Sequence, residues 1–339
     1  MSCLATLNAD PRYYTTATAV ADLEQVRAAL GYAQWDLYGV SYGTRVAQHY
    51  LRRHPDAVRA VVLDGVLPPD QALGPDIAQN AQTALDALFA RCAATPACQA
   101  RFPEPAAQFA RLAARLRAAP IDVSTPDPVT GRTVTTTLTY GHLAATVRML
   151  SYAPESAALV PLMLDEAEAR ANFTPLAVHA RRIEAELDQS INVAMHNSVV
   201  CSEDVPFYAD ADTLWPELER TYLGTEQVRM LQTVCAQWPR GPVDDDLREP
   251  LHSDTPVLLL SGEFDPVTPP VYAERAAAGL RSSRLIVAPG QGHGVAGRGC
   301  LPDLIGDFVR AGSGAALDTT CVQRLAADPF FVDLMGPPP

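Results

Sequence analysis

The stretch that decides the fold is residues 35–44, which read WDLYGVSYGT. Its first half has the apolar and aromatic residues typical of a short strand, and a helix from about Thr44 to Arg53 is predicted after it. Between them lies the pattern Gly-x-Ser-x-Gly, centred on Ser41. A sharp turn from strand to helix exposes such a serine above the strand, where it can act as a nucleophile. An inert structural turn is the alternative interpretation, but the strand-turn-helix context favours the nucleophile.

Two further residues supply what a serine nucleophile requires. Asp265 follows an apolar segment with strand character at 257–260, and His293 follows a second strand-like segment at 284–287. Because the carboxyl ends of parallel strands meet at one edge of a sheet, we expect both side chains near Ser41. His293 is the predicted base, and Asp265 is predicted to hold its tautomer and to stabilise the imidazolium. The order Ser, Asp, His along the chain is typical of this architecture.

The backbone N–H of Tyr42, directly after the nucleophile, is the predicted donor to the developing oxyanion. Glu263 and Asp254 are rival acids, but neither has the loop position after the strand that Asp265 has. The other histidines are interpreted as surface or packed residues; they lie at positions 49, 54, 142, 179, 196 and 252.

The rest of the chain alternates strand and helix patterns around a long helical region. A helix is predicted over 17–30, and the apolar run at 58–66 is typical of a strand buried on both faces. Residues 70–250 have helical periodicity with one β-like segment at 133–139, and a helix at 271–280 separates the last two strands. We therefore predict an α/β fold, with a doubly wound and mostly parallel sheet. The predicted domains are core parts at 1–69 and 251–325, a mainly helical cap at 70–250, and a peripheral tail at 326–339.

Composition narrows the classes of partner. The chain has 339 residues, a formal net charge of −13 and no lysine, so every basic residue apart from histidine is arginine. An acidic surface without basic clusters argues against nucleic acid and anionic lipid as partners. Runs of apolar residues stay well short of the about 18 that a membrane-spanning helix needs, so no membrane partner is predicted.

Six of the seven cysteines fall into local pairs, which predict disulfides Cys92–Cys98, Cys201–Cys235 and Cys300–Cys321. Buried thiols are the alternative interpretation. A metal site is disfavoured, because the chain has no Cys-x-x-Cys or clustered Cys/His spacing. Cys3 is left over, and residues 1–10 have neither the basic leader nor the apolar run of a signal peptide.

At residues 10–66 and 254–321 the chain resembles the secreted tripeptidyl aminopeptidase branch of the prolyl aminopeptidase family of α/β-hydrolases. The matching stretches include Tyr14-Thr15-Thr16, Asp22-Leu23, residues 37–45, residues 62–66 and Gly292-His293-Gly294. The resemblance implies an α/β-hydrolase fold with a cap, an acyl-enzyme on Ser41, and no metal or organic cofactor. It also implies a peptide or small ester as substrate, and a secreted or periplasmic location for the full-length form.

The cap sequence Cys201-Ser202-Glu203-Asp204 places two acids beside a predicted disulfide. Related enzymes use cap acids to bind the free amine of the substrate, because a carboxylate is the natural partner of an ammonium group. The resemblance therefore makes Glu203, with Asp204 as the alternative, the expected ligand of the substrate amine. A solvated acidic pair is the competing interpretation.

One departure from the family stands out. Its members have four further strands before the helix predicted at 17–30, and a His-Gly-Gly-Pro-Gly loop that supplies a second oxyanion donor; this chain contains no such motif. The expectation is a truncated product with an open sheet edge, which would bind a missing amino-terminal segment or a second copy. Loss of one oxyanion donor costs about 10²–10³ in rate. Three functions therefore compete: a serine exopeptidase, a carboxylesterase with the same triad, and a weak or inactive fragment.

Overall fold

The computed structural model describes residue 4 and residues 6–127, 130–209 and 211–337, so the predicted orphan Cys3 lies outside the described residues. The strands are β1 (Trp35–Val40), β2 (Val58–Asp64), β3 (Ile121–Pro126), β4 (Thr133–Leu138), β5 (Val257–Gly262) and β6 (Ser283–Ala288). The helices are α1 (Thr16–Ala29), α2 (Tyr42–Arg53), α3 (Pro75–Ala94), α4 (Pro96–Arg101), α5 (Pro105–Ala118), α6 (Tyr140–Leu150), α7 (Pro154–Ala157), α8 (Val160–Glu168), α9 (Thr174–Ser190), α10 (Val193–Glu203), α11 (Ala211–Leu218), α12 (Glu226–Cys235), α13 (Pro270–Ala277) and α14 (Leu301–Ala311).

The main sheet has the strand order β1-β2-β5-β6, and every neighbouring pair is parallel. The predicted α/β fold with a mostly parallel sheet is thus confirmed. Alternate residues of β2 face opposite sides of the sheet, so Val61 and Leu63 pack against one set of helices and Val62 against another. β5 is buried along its whole length, as a strand covered on both faces must be. In the described part of the chain, β1 pairs with β2 alone and forms an edge of the sheet.

The described residues form two compact units. One comprises Met1–Asn80 and Asn192–Ala326, and the other Ala81–Ile191 and Ala327–Pro339. The division therefore falls at 80/81 and 191/192, whereas the predicted cap ran from 70 to 250. Helices α10 to α12 belong with the parallel sheet, because their contacts are made within that unit.

Among its described residues, the second unit has helices and one antiparallel pair of strands, β3 and β4. β4 occupies the predicted β-like segment and pairs with β3, with Ile121 opposite Leu138. The chain after 326 contributes to this unit: Phe330 is buried, and the Arg91 guanidinium lies 4.4 Å from its ring centroid. The tail predicted to be peripheral thus includes a packed residue.

All three predicted disulfides are present: Cys92–Cys98, Cys201–Cys235 and Cys300–Cys321. The second bond joins the last turn of α10 to the end of α12. Within the described ranges, none of the helices combines the length and apolar character needed to cross a bilayer.

Candidate active site

Ser41 occupies a strained turn between β1 and α2. Its φ is 54° and its ψ is −123°, a backbone region that residues other than glycine rarely adopt. The strand and the helix approach closely at this turn, since a Cβ atom added to Gly39 would lie 2.4 Å from the carbonyl oxygen of Gly43. Glycine at position 39 is therefore a steric requirement of the turn, whereas a Cβ at position 43 would meet nothing within 4 Å.

Hydrogen bonds hold the turn in place. The Ser41 N–H donates to the carbonyl of Asp64 at 2.9 Å, and the Thr44 hydroxyl donates to the carbonyl of Ser41 at 2.6 Å. The same hydroxyl accepts from the N–H of Leu67 at 2.9 Å, which ties α2 to the chain beyond β2. Tyr42 is the first residue of α2, where an N–H has no acceptor within the helix.

Asp265 and His293 form a hydrogen-bonded pair. Nδ1 of His293 lies 2.7 Å from Oδ2 of Asp265, and the Asp265 side chain is fully buried. Asp265 lies in the loop after β5, and its Oδ1 accepts the N–H groups of Val267 and Thr268 at 2.8 Å each. A carboxylate held by backbone donors in this way has one orientation. Because the carboxylate of Asp265 can only accept, Nδ1 of His293 carries the proton of this hydrogen bond. Nε2 is therefore the ring nitrogen that can take up a second proton.

Two residues that the sequence analysis did not identify complete this pair. The Thr268 hydroxyl donates to Oδ2 of Asp265 at 2.9 Å and lies 3.2 Å from Nδ1 of His293. Gly65 has a φ of 65°, and a Cβ there would lie 3.0 Å from Cε1 of His293. The absence of a side chain at 65 thus makes room for the imidazole, a long-range requirement that no local pattern indicates.

Asp64, at the end of β2, connects the serine turn with the histidine loop. Its backbone carbonyl accepts from Ser41, and its carboxylate accepts the N–H of Val295 at 2.8 and 2.9 Å and the N–H of Ala296 at 2.8 Å. The side chain is buried, with 1% of the residue exposed. Ser41, Asp265 and His293 all follow the carboxyl ends of parallel strands, at one edge of the sheet, and their catalytic roles stay a prediction.

The rival acids lie elsewhere. Glu263 accepts the N–H of Gly290 at 2.8 Å, and Asp254 forms an exposed ion pair with Arg281. Neither has a hydrogen bond to the imidazole of His293 among the contacts described, and Asp265 has one.

Glu203 and Asp204, the predicted amine ligands, are both completely buried. Oε1 of Glu203 accepts the N–H of Thr16 at 2.6 Å, and Oε2 accepts the Thr16 hydroxyl at 2.7 Å. Asp204 accepts from Arg45 at 2.8 and 3.2 Å and from the N–H of Leu73 at 2.7 Å. Burial raises the pKa of Glu203, against the opposing effect of its bonds with Thr16. Their role towards a substrate amine stays a prediction.

One set of described residues has the spacing of a metal site: His49, Asp244 and Asp246 offer ligand atoms within 4.8 Å of one another. Nε2 of His49 lies 2.7 Å from Asp244, and burial lowers the pKa of His49. Arg53 forms ion pairs with both carboxylates. The guanidinium supplies the positive charge that a bound cation would otherwise provide, so the set is explained without a metal.

Two family models match the chain. One described as "alpha/beta hydrolase fold" matches residues 6–147, and one described as "TAP-like protein" matches residues 220–321. The first covers the Ser41 turn, and the second covers Asp265 and His293. The chain is thus an α/β hydrolase by fold, as the sequence resemblance implied.

Individual proteins are similar at low identity. The tripeptidyl aminopeptidase of Streptomyces coelicolor is 26% identical over 355 residues, covering 94% of this chain and 59% of that enzyme. The serine protease Hip1 of Mycobacterium tuberculosis is 42% identical over 55 residues, which are 16% of this chain and 11% of Hip1. Among solved structures, a thermophilic esterase from Thermogutta terrifontis matches with a TM-score of 0.34 and 18% identity, covering 88% of this chain and 73% of that one. The chain therefore spans less than two thirds of the Streptomyces relative.

Proposed function

Because this chain has the α/β-hydrolase fold, we propose that it is a serine hydrolase that cleaves peptide bonds near free amino termini through an acyl-enzyme on Ser41. The observation that carries the proposal is the strained Ser41 turn at the same sheet edge as the hydrogen-bonded pair of Asp265 and His293. Strain at a non-glycine residue is retained where the site uses it.

In the proposed mechanism, Ser41 Oγ attacks the substrate carbonyl while Nε2 of His293 takes the proton of the Ser41 hydroxyl. The backbone N–H of Tyr42 donates to the oxyanion of the tetrahedral intermediate. Asp265 stabilises the imidazolium, which then protonates the leaving amine, and the acyl group stays on Ser41. Water, deprotonated by His293, attacks the acyl-enzyme, releases the acid and restores the serine.

The first experiment treats the purified chain with a fluorophosphonate and reads its intact mass. Such a probe reacts with an activated serine without the correct substrate. We expect one adduct per chain and none in Ser41→Ala, while Ser282→Ala, at an exposed serine, keeps the adduct. An unlabelled wild-type chain contradicts the proposal, and so does an adduct that survives in Ser41→Ala.

The finer part of the proposal is the substrate, and two observations support it. A "TAP-like" match covers residues 220–321, and the tripeptidyl aminopeptidase similarity extends over 94% of this chain. Tripeptide anilides with a free amino terminus are the matching substrates. We expect them to be cleaved at least about tenfold faster than their N-acetylated forms, because acetylation removes a charge that a carboxylate would bind.

A carboxylesterase with the same three residues is the second candidate. One observation favours it: both Glu203 and Asp204 are fully buried and bonded to protein groups. The same comparison separates the two candidates. Short acyl esters turned over rapidly, together with equal rates on free and acetylated peptides, would establish the esterase.

We also propose that the protein works in an oxidising compartment, secreted or periplasmic. The support is the set of three disulfides, a feature of extracellular proteins. Mass measurement after thiol alkylation of protein taken from culture medium, periplasm and cytosol tests this. Chains found only in the cytosol, with these cysteines alkylated, would contradict it.

A further inference from the structure

The first residue of α2 is linked to the end of α10 by a series of buried and partly buried hydrogen bonds. The Tyr42 hydroxyl lies 2.7 Å from the hydroxyl of Thr16, which is 2.7 Å from Oε2 of Glu203. Oε1 of Glu203 accepts the Thr16 N–H at 2.6 Å. Thr16 is the first residue of α1, so this N–H has no acceptor within its own helix. A carboxylate at this end of a helix also meets the positive end of the helix dipole.

The hydrogen bonds that connect Tyr42, Thr16 and Glu203 have a fixed donor-to-acceptor direction. An ionised carboxylate only accepts, so the Thr16 hydroxyl donates to Glu203 and accepts from Tyr42. Burial raises the pKa of Tyr42 to about 12, so its phenol keeps the proton that it donates. Arg45 lies 3.7 Å from Oε2 of Glu203 and binds Asp204 at 2.8 Å. Glu203, Asp204 and Thr16 thus bond to protein groups, whereas Nε of the buried Arg45 has no hydrogen-bond partner among the contacts described.

Tyr42 is also the residue on which the proposed oxyanion site depends. Its N–H follows Ser41, whose φ of 54° leaves this peptide unit in a strained turn. A peptide unit in such a turn keeps its orientation only if its neighbours hold it. The Ser41 side of the turn is held by Asp64 and Thr44, and the Tyr42 side chain is held by Thr16.

We propose that Glu203 is a positioning residue, which through Thr16 fixes the side chain of Tyr42 and with it the N–H that Tyr42 presents to the oxyanion. This differs from the predicted role of Glu203 as ligand of the substrate amine, because it acts on every substrate, with or without an amine. The inference rests on the proposed function, since it needs Ser41 as the nucleophile.

The test measures the rate constant of Ser41 labelling by a fluorophosphonate, whose phosphonyl oxygen occupies the oxyanion site and which has no amine. Tyr42→Phe removes one hydroxyl and keeps the ring, and Thr16→Val removes the hydroxyl between the two partners. We expect each to lower the labelling rate at least about tenfold, since small displacements of catalytic groups are costly. Thr16→Ser, which restores the hydroxyl, should recover most of the rate.

Thr146→Val is the matched control, because Thr146 is a buried threonine of α6 in the other compact unit. It should label at the wild-type rate. Thermal unfolding of each variant is recorded, and labelling is measured below its onset. If Thr16→Val does not fold, Tyr42→Phe decides the matter alone.

Labelling rates of Tyr42→Phe and Thr16→Val within about twofold of wild type would overturn the inference and leave the proposed function standing. So would a Glu203→Ala protein that labels normally and loses only the turnover of peptides with a free amine, which would assign Glu203 to that amine. A wild-type chain that does not react at Ser41 overturns the proposed function, and this inference with it.

Discussion

In the proposed mechanism, the orientation of the His293 imidazole decides whether Ser41 can be activated. Asp265 fixes it, because the carboxylate accepts from Nδ1 of His293 while Val267 and Thr268 hold it in place. Asp265→Asn keeps the shape and loses the charge, and its amide can donate to Nδ1 and select the wrong tautomer. We expect kcat to fall by about 10³–10⁴-fold with little change in KM.

Steady-state kinetics on the best ester or peptide substrate check this prediction. Asp254→Asn makes the same substitution at an exposed ion pair and should keep wild-type rates. A loss of less than about tenfold in Asp265→Asn would mean that another acid orients the base.

Asp64 is connected to the same imidazole through Val295 and Ala296, in the loop that follows His293. In the wild-type protein, the backbone N–H groups of Val295 and Ala296 bond to the carboxylate oxygens of Asp64. In Asp64→Asn, the side-chain amide nitrogen replaces one of these oxygens and must face at least one of the same N–H groups. Leaving a buried donor without an acceptor costs about 1–3 kcal/mol of unfolding free energy. We also expect kcat to fall at least about tenfold, because His293 lies two residues before Val295.

Urea unfolding and ester turnover measure the two effects. Asp307→Asn, at an exposed ion pair with Arg310, should change stability by less than about 0.5 kcal/mol. An Asp64→Asn protein with normal stability would show that its carboxylate is dispensable for this loop.

The positions of Ser41, Asp265 and His293 at one edge of the sheet could be predicted from the sequence, because each follows a strand and the ends of parallel strands meet at one edge. The sequence was uninformative about Asp64, Gly65 and Thr268. Asp64 bonds to Ala296, 232 residues away, and Thr268 lies beside His293, 25 residues away, while the requirement at Gly65 depends on the space that a ring occupies. The local sequence pattern does not indicate such long-range contacts, so Asp64 and Gly65 look like an ordinary strand end and Thr268 like an ordinary loop residue.

At the scale of elements, Glu203 joins the end of α10 to the start of α1. Burial raises its pKa more than Thr16 and Arg45 lower it, with Asp204 adding to the increase. A folded state that raises an acid's pKa binds the proton more tightly than the unfolded chain does. The stability that this group contributes is therefore present below the ordinary Glu pKa of about 4.3 and is lost as pH rises through the raised pKa.

Urea unfolding of wild type and Glu203→Gln from pH 4 to 8 isolates this effect. We expect the unfolding free energy of wild type minus that of the variant to fall as pH rises, since Gln cannot titrate. Glu219→Gln, at an exposed position, controls for the loss of one charge. A difference that grows with pH would mean that Arg45 and Thr16 outweigh burial.

Strands and helices could be predicted where the sequence periodicity is strong. They could not be predicted where pairing or packing with a distant segment determines the structure. β4 was expected from its run of threonine and valine, whereas β3, with polar Asp122 and Ser124, was not. Likewise, helical periodicity identified helices between 192 and 250 but not the unit to which they belong, because an apolar stripe does not specify what covers it.

At the scale of the whole molecule, the edge strand β1 carries a neighbouring apolar surface, defined by Leu23, Val26 and Leu30 of α1 with Tyr38 and Val40 of β1. These side chains are 38–62% exposed, although Val20 on the same helix is buried. In the described part of the chain, β1 pairs only with β2, so its other edge presents backbone groups to solvent. Exposed edges and apolar patches of this kind promote association.

We expect a second copy of the chain to bind the free edge of β1 and the apolar surface beside it. A twofold axis would pair β1 of one copy with β1 of the other, and both copies would bury the same apolar surface. Sedimentation velocity over about 1–100 μM should show a monomer–dimer equilibrium, in line with the micromolar range of modest interfaces. Val26→Glu with Leu30→Glu should shift it to monomer, whereas Met230→Glu, at an exposed site on α12, should not. Wild type that is monomeric throughout would rule out the second copy, leaving a strand from another segment of polypeptide as the partner of this edge.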